Sequence, residues 1–186
     1  YKFILNVTRI INENISLDEK SGNYEFVDFV KDEKKMAYLF EDFVRNFYRK
    51  EQKIFKVGRE LINWDIELLG ESSYEILPVM KTDISLESSE RKIIIDTKYY
   101  KETLNAHYGK EILRSEHLYQ LFAYLDNVEA KGGININCSG ILLYPTVKCN
   151  LDESYRKKNH LIRIKTLNLS QNWKDIKSDM LKLIEV

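Results

Sequence analysis

The chain has 186 residues, 44% of them hydrophobic, which is enough for one domain with a substantial core. Lysine plus arginine and aspartate plus glutamate number 29 each, so the formal charge is zero and any nucleic-acid binding must use a local basic patch. The two cysteines fit no zinc pattern and are too few for an iron–sulfur cluster, and no apolar run approaches the length of a membrane span, so we expect a reduced, cytoplasmic protein without membrane contact.

The first 33 residues are predicted to form a helical scaffold. Apolar residues recur at helical spacing between Ile4 and Ile11, and Gly22 interrupts the pattern. We expect residues 1–186 to form a single domain that includes this scaffold. Because the chain begins at Tyr1 rather than Met, we also expect it to be the C-terminal part of a longer protein.

A second helix is predicted over residues 34–49, with an apolar stripe that includes Phe40, Val44 and Phe47. Glu41 lies beside this stripe and fits two interpretations. It is either solvated or paired with Arg45 four residues later, or it adds an acidic group near a metal.

Between the second helix and the central hairpin, one strand and the start of another are predicted. The first strand is expected around residues 60–64, followed by a loop through Gly70. The second is expected to begin near Tyr74, and Pro78 favours a bend or an edge position there.

Residues 83–100 are predicted to form an antiparallel hairpin that turns at Ser89 and Glu90. With that turn, Glu87 pairs with Lys92, and Asp83 comes to lie opposite Asp96. Lys98 shares their face because side chains two apart on a strand point the same way. The other face is an apolar set fit for a core, namely Ile84, Leu86, Ile93 and Ile95.

Two opposed carboxylates repel each other unless a positive group lies between them. Mg²⁺ is usually held by one or two carboxylates together with waters and substrate phosphate oxygens, and Asp83 with Asp96 offers such an incomplete cage. The same residues also fit an exposed hairpin face on which Lys98 forms a surface ion pair. Both interpretations are open at this point.

Residues 101–114 lack clear periodicity and are predicted to be a loop or a short helix beside the hairpin. Aromatic and basic side chains here suit contacts with phosphates and bases, and the candidates for DNA contact are Tyr100, Lys101, Lys110 and Arg114. An ordinary polar loop would have the same composition.

A helix is predicted over residues 116–130, with Ser115 as its N-cap. Gln120 and Tyr124 are four residues apart and therefore share one flank of this helix. They are either ordinary boundary residues or, beside a phosphate site, groups that hold the substrate backbone or the attacking water.

The C-terminal third is predicted to hold a buried central strand at residues 140–144, which neighbours the hairpin, and another strand at 161–169. Ser170 is expected to cap a terminal helix. The basic residues between 156 and 160 fit either a solvated loop or a DNA-facing segment.

Taken together, Asp83, the Asp96-Thr97-Lys98 run and the Gln120/Tyr124 pair resemble the PD-(D/E)XK nuclease superfamily. Three blocks, residues 36–43, 94–99 and 118–124, are similar to the nuclease part of McrC subunits in McrBC methylcytosine restriction systems, and the likeness covers roughly residues 38–145. One departure is that Thr82 stands where the superfamily usually has proline.

The resemblance implies an α/β fold with a restriction-endonuclease-like core, in which helices flank a mixed β-sheet. It implies hydrolysis of DNA phosphodiester bonds with Mg²⁺, or with Mn²⁺ as a substitute. Asp83, Asp96 and the Thr97 main-chain carbonyl would then bind the metal, and Lys98 would position water or offset charge on the phosphate. It also implies a prokaryotic protein that works with a hexameric McrB-like AAA+ GTPase.

Two other functions fit the same pattern. RecB-like and Cas4-like exonucleases share the Gln-x-x-x-Tyr spacing, although many of them hold an iron–sulfur cluster. A catalytically silent adaptor that stimulates a GTPase would fit the neutral charge and the missing proline.

Overall fold

The structure is a computed structural model that describes residues 32–99, 105–107, 110–146 and 150–185. Nearly all of the predicted scaffold at residues 1–33 lies outside these ranges. The described chain contains three α-helices, which are α1 (Glu33–Glu51), α2 (Ser115–Glu129) and α3 (Trp173–Lys182). Its strands are β1 (Lys56–Gly58), β2 (Leu61–Ile62), β3 (Met80–Lys81), β4 (Ile84–Glu87), β5 (Lys92–Thr97), β6 (Asn105–His107), β7 (Lys110–Ile112), β8 (Ser139–Pro145), β9 (Asp152–Lys157) and β10 (His160–Leu167).

Six strands form one mixed sheet in the order β1-β4-β5-β8-β10-β9. The central pairs β5–β8 and β8–β10 are parallel, and the outer pairs are antiparallel. Helices cover both faces, so the predicted α/β class with a mixed sheet flanked by helices is confirmed, and the arrangement is consistent with a restriction-endonuclease-like fold. No helix in the described part of the chain is long and apolar enough to span a membrane.

The two faces of the sheet bury separate apolar cores. Helices α1 and α3 pack on one face, where Tyr48 on α1 is fully buried and donates a 2.8 Å hydrogen bond to the Met180 carbonyl on α3. Helix α2 packs on the other face through Leu121, Leu125 and Val128, all of which are fully buried. Because each strand alternates its side chains between the faces, residues of β5 serve both cores.

The predicted hairpin register is confirmed. Glu87 pairs with Lys92 and Ser85 pairs with Ile94, with a tight turn in which the Ser88 amide donates to the Arg91 carbonyl at 3.0 Å. The predicted apolar set, Ile84, Leu86, Ile93 and Ile95, lies in the core beneath α1 and α3. Asp96 therefore points to the opposite face, toward α2.

The β5–α2–β8 crossover forms one half of the candidate site. The predicted strand at 140–144 neighbours the hairpin as expected, in parallel register with β5. Gly140 allows α2 to approach, because a Cβ there would meet Leu125 Cδ1 at 2.9 Å and Leu121 Cδ2 at 3.0 Å. Close helix–strand packing sets how near the α2 side chains come to the end of β5.

Four local predictions are wrong. The chain near Tyr74 forms a short 3₁₀ turn, Tyr74–Ile76, rather than a strand, because exposed residues on both sides leave no face to bury. Segment 101–114 contains the β6–β7 hairpin instead of a loop or helix. The two helix caps are each displaced, to Arg114 for α2 and to Asn172 for α3, whose side chain accepts from two backbone amides.

Strands β1 and β9 carry no signal that periodicity could reveal. Strand β1 is only three residues long, and five of the six residues of β9 are exposed on the sheet edge. The basic residues that were predicted as a solvated or DNA-facing segment end β9 and turn into β10. Two of them, Lys157 and Lys158, pair with Asp126 on α2.

Candidate functional site

Asp96 is the centre of the candidate site. It is fully buried near the end of β5, and neither of its carboxylate oxygens accepts a hydrogen bond. Lys98 Nζ lies 2.7 Å from Asp96 Oδ2 without adopting hydrogen-bond geometry. Because Asp96 is buried, the interpretation of an exposed hairpin face is wrong, although the ion pair between Lys98 and Asp96 is present.

Asp83 reaches the same place from the start of β4. Its Oδ2 accepts hydrogen bonds from the Thr97 amide at 2.8 Å and from the Thr97 hydroxyl at 2.9 Å. These bonds fix the Asp83 carboxylate beside the end of β5. The predicted opposition of Asp83 and Asp96 across the hairpin is supported by the observed register, although the regular pairing begins one residue later, at Ile84.

The electrostatics of the site follow from this crowding. Burial raises the pKa of Asp96 to about 7, the Lys98 ammonium lowers it, and the charges of Asp83 and Glu41 raise it further. The pKa of Tyr124 is raised to about 12, first by burial and then by the same three carboxylates, while the Gln120 hydrogen bond lowers it. Burial and the neighbouring carboxylates therefore oppose ionisation of Asp96, and Lys98 favours it.

Gln120 and Tyr124 form a hydrogen-bonded chain with Lys98 rather than serving as plain boundary residues. Lys98 Nζ donates to Gln120 Oε1 at 2.7 Å, and Gln120 Nε2 donates to Tyr124 Oη at 2.7 Å. Tyr124 Oη then donates to the Lys81 carbonyl at 2.9 Å. This chain fixes the ammonium group and ties α2 to the backbone just before Asp83.

Glu41 is ion-paired with Arg45, as one of its two interpretations predicted. Its Oε1 accepts from Arg45 Nη1 at 2.7 Å and from Arg59 Nε at 2.9 Å, and the side chain is largely buried. The charge of Glu41 still reaches Asp96, because it raises the pKa of that carboxyl. A metal-binding role for Glu41 remains a prediction. To bind a metal, the Glu41 carboxylate would have to break its ion pairs with Arg45 and Arg59 or bind the metal while keeping them.

The backbone before Asp83 is held by residues that sequence reasoning missed. Thr82 is 1% exposed, and its hydroxyl accepts from the Glu60 amide at 2.9 Å while its own amide donates to the Glu60 carbonyl at 3.0 Å. The Glu60 side chain pairs with Lys92 and Lys131, both at 2.7 Å. No local sequence pattern predicts a contact between Glu60 and Thr82, which are 22 residues apart. The only signal was that Thr82 stands where the superfamily usually has proline.

Of the four candidate DNA contacts, Tyr100 and Lys101 lie outside the described residues. Lys110 belongs to β7, and Arg114 occupies the cap position directly before α2. Burial lowers the pKa of His117 on α2 to about 4, and the positive charges of Lys98 and Arg114 contribute to this shift. Contact of Arg114 with DNA remains a prediction.

The donor set fits a hard divalent cation with several waters better than a closed protein cage. Within the described residues, no three Asp, Glu, His or Cys side chains gather to hold a metal by themselves. Two carboxylates, one of them buried without a hydrogen bond to either oxygen and with Lys98 as its ion-pair partner, match the partial ligand set that Mg²⁺ accepts. The buried Asp96 carboxylate is the observation that favours a cation here.

Comparison with known proteins gives two findings. The model of a family described as McrBC 5-methylcytosine restriction system component matches residues 1–145. The chain is also 35% identical, over 185 residues, to a protein of Escherichia coli (strain K12) named Type IV methyl-directed restriction enzyme EcoKMcrBC. That match covers 100% of this chain and 53% of the relative, so the chain spans about half the length of the curated relative.

Proposed function

Because the chain belongs to the family of McrBC 5-methylcytosine restriction system components, we propose that it is the DNA-cleaving domain of a modification-dependent restriction system. The reaction is hydrolysis of DNA phosphodiester bonds by a Mg²⁺-dependent endonuclease. The observation that carries the proposal is the buried Asp96, whose two oxygens lack hydrogen bonds while Asp83 and Lys98 face it.

Asp83 and Asp96 would hold the metal, with the Thr97 main-chain carbonyl as a further ligand and Mn²⁺ as a substitute ion. When bound, Mg²⁺ polarises the scissile phosphate and lowers the pKa of a water. The protein prepares for this by its own hydrogen bonds, since the Thr97 amide and hydroxyl orient the Asp83 carboxylate. Preorganised ligands lose little freedom on binding the ion.

Lys98 is the cation that acts on the substrate. Its ammonium group has three donors, of which one reaches Gln120 and another lies beside Asp96. A remaining donor can hold the attacking water or stabilise charge that grows on the phosphate oxygens. We infer that Gln120 and Tyr124 are positioning residues that act through Lys98, and their contact with the substrate backbone or the attacking water stays a prediction.

The partners of this domain are also proposals. Double-stranded DNA is the substrate, and a hexameric McrB-like AAA+ GTPase is the partner that would recognise methylated DNA and license cleavage. The neutral net charge of the chain agrees with recognition by a partner, since a domain without a global basic surface binds DNA weakly on its own. We expect the complex to act in the prokaryotic cytoplasm.

The test is cleavage of a circular plasmid that carries methylcytosine, with the chain, its GTPase partner, GTP and Mg²⁺. Asp96→Asn and Lys98→Ala should each lower the cleavage rate by at least about 100-fold, because each removes charge from the reacting centre. The matched control is Asp152→Asn, which changes an exposed carboxylate on the edge strand β9 and should leave the rate unchanged.

Three outcomes would contradict the proposal. Full cleavage by both site variants would remove Asp96 and Lys98 from the mechanism. Degradation of linear DNA with no cut in circles would identify an exonuclease. Absence of Mg²⁺ binding by calorimetry, together with undiminished stimulation of the GTPase, would identify a silent adaptor.

A further inference from the structure

A 17-residue loop, residues 63–79, precedes β3, the strand that leads to Asp83. It leaves from β2 and returns at β3, which pair with each other at its base. Its large apolar side chains are strongly exposed, and Ile76, Leu69 and Val79 show 86%, 72% and 67% of their surface. Scattered exposed apolar residues are ordinary, but their concentration in one short loop favours an interaction site.

The loop is folded on itself and presents a formed surface. The Trp64 indole donates to the Pro78 carbonyl at 2.7 Å, and the Tyr74 hydroxyl donates to the Ile66 carbonyl at 2.7 Å. The Asp65 amide donates to Asn127 on α2, which fastens the loop to the domain. A groove of about 450 Å³ opens along it, lined by Ile62, Asn63, Trp64, Tyr74, Leu77, Pro78 and Val79.

The charge of the loop has one sign. It contains four acidic residues and no lysine or arginine, and the acids are Asp65, Glu67, Glu71 and Glu75. All four are exposed, and none of them forms an ion pair with another described residue. By contrast, acids such as Asp126 and Glu60 elsewhere in the described chain are matched by lysines.

From this combination we propose that the 63–79 loop is a docking site for a basic, amphipathic segment of a partner protein. Apolar side chains of the segment would fill the groove beside Trp64, and its lysines or arginines would face the four acids. Apolar contact at the centre with opposite charges at the rim is the usual composition of a protein–protein interface.

DNA does not fit this surface, although the domain is proposed to cleave DNA. A duplex carries a phosphate charge about every 1.7 Å along its axis, so four exposed carboxylates would repel it. The charge of the loop therefore suits a basic protein segment and disfavours DNA. This inference does not depend on the nuclease proposal.

The experiment uses the fluorescence of Trp64, which lines the groove. The only other tryptophan is Trp173, which packs edge-on against Phe47 at 5.9 Å, so Trp173→Phe leaves a single reporter. The probe is a helical peptide of about 15 residues with leucines on one face and lysines on the other. Its control has glutamate in place of every lysine.

We expect the lysine peptide to change Trp64 emission saturably, with a Kd on the order of 100 µM that weakens as salt is added. Glu71→Lys with Glu75→Lys should weaken binding at least about tenfold. The matched control, Glu90→Lys with Glu153→Lys, makes the same charge change at two exposed positions outside the loop and should alter the Kd less than about twofold.

Four results would overturn the docking proposal. The first is equal binding of the lysine and glutamate peptides, and the second is equal loss of binding in the two double variants. The third is a response of Trp64 to a short DNA duplex at the same salt. The fourth is a response to dilution of the chain alone, which would assign the loop to a second copy of the protein.

Discussion

Replacing Asp96 with asparagine should stabilise the metal-free protein while abolishing its proposed activity. The pKa of Asp96 is raised from 3.8 to about 7, because the charged carboxylate is buried without hydrogen bonds. A shift of roughly 3 units corresponds to about 4 kcal/mol against folding when the group is ionised. Asparagine has almost the same shape and no charge, so it escapes this penalty.

The raised pKa of Asp96 makes the free energy of unfolding depend on pH. Between about pH 4 and pH 7 the folded chain keeps a proton on Asp96 that the unfolded chain has lost, so the stability of the native sequence falls as pH rises. Above pH 7 Asp96 is ionised in both the folded and the unfolded chain, so the stability falls no further. From pH 5 to pH 8 the stability advantage of Asp96→Asn should therefore grow by about 3 kcal/mol.

Urea unfolding in EDTA at several pH values measures this difference directly. All other titrating groups occur in both proteins and cancel, so the pH-dependent part belongs to position 96. Adding Mg²⁺ at pH 8 should then stabilise the native sequence by about 1.4 kcal/mol per tenfold excess over its Kd and leave Asp96→Asn unchanged. A stability difference that stays flat from pH 5 to pH 8 would refute the account of a strained carboxylate.

Three further changes test the supports of the site. Thr82→Val removes the hydroxyl that accepts from the half-buried Glu60 amide and should cost about 1 kcal/mol in urea unfolding, with weaker Mg²⁺ binding by calorimetry, whereas Thr82→Ser should restore both. Tyr124→Phe breaks the link to the Lys81 carbonyl and should lower kcat more than it raises KM; an unchanged kcat would remove Tyr124 from the positioning chain. Gly140→Ala places a Cβ 2.9 Å from a Leu125 methyl and should lower the free energy of unfolding by about 1–2 kcal/mol, and thermal melting that matches the native chain would contradict this.

The hairpin was predictable because two sequence signals agreed on one register. The apolar alternation placed Ile93 and Ile95 in a core, and the polar break at Ser89 fixed the turn, so Asp96 had to face the other way. A slip of one residue would have buried the carboxylate among α1 and α3. What the alternation could not show is that the second face is also buried, since that depends on α2 packing over it.

Only part of the Glu41 ion-pair network was predictable. The helical spacing of Glu41 and Arg45 predicted one pair correctly, but Arg59, which follows β1, reaches Glu41 by a tertiary contact that no local pattern shows. Strand β9 escaped prediction for a different reason. A charged edge strand has no buried face, so its residues carry no periodic signal, and its charges protect the sheet from pairing with other chains.

The departure at Thr82 has a physical account in the fold. A proline there could not donate the hydrogen bond that the Thr82 amide gives to the Glu60 carbonyl, nor accept the one that its hydroxyl receives. In this chain the backbone before Asp83 is instead held from two directions, by Glu60 on one side and by Tyr124 through the Lys81 carbonyl on the other. Proline fixes a backbone by its ring, whereas these three contacts fix it by tertiary hydrogen bonds, so the position of Asp83 depends on α2 remaining packed against the sheet.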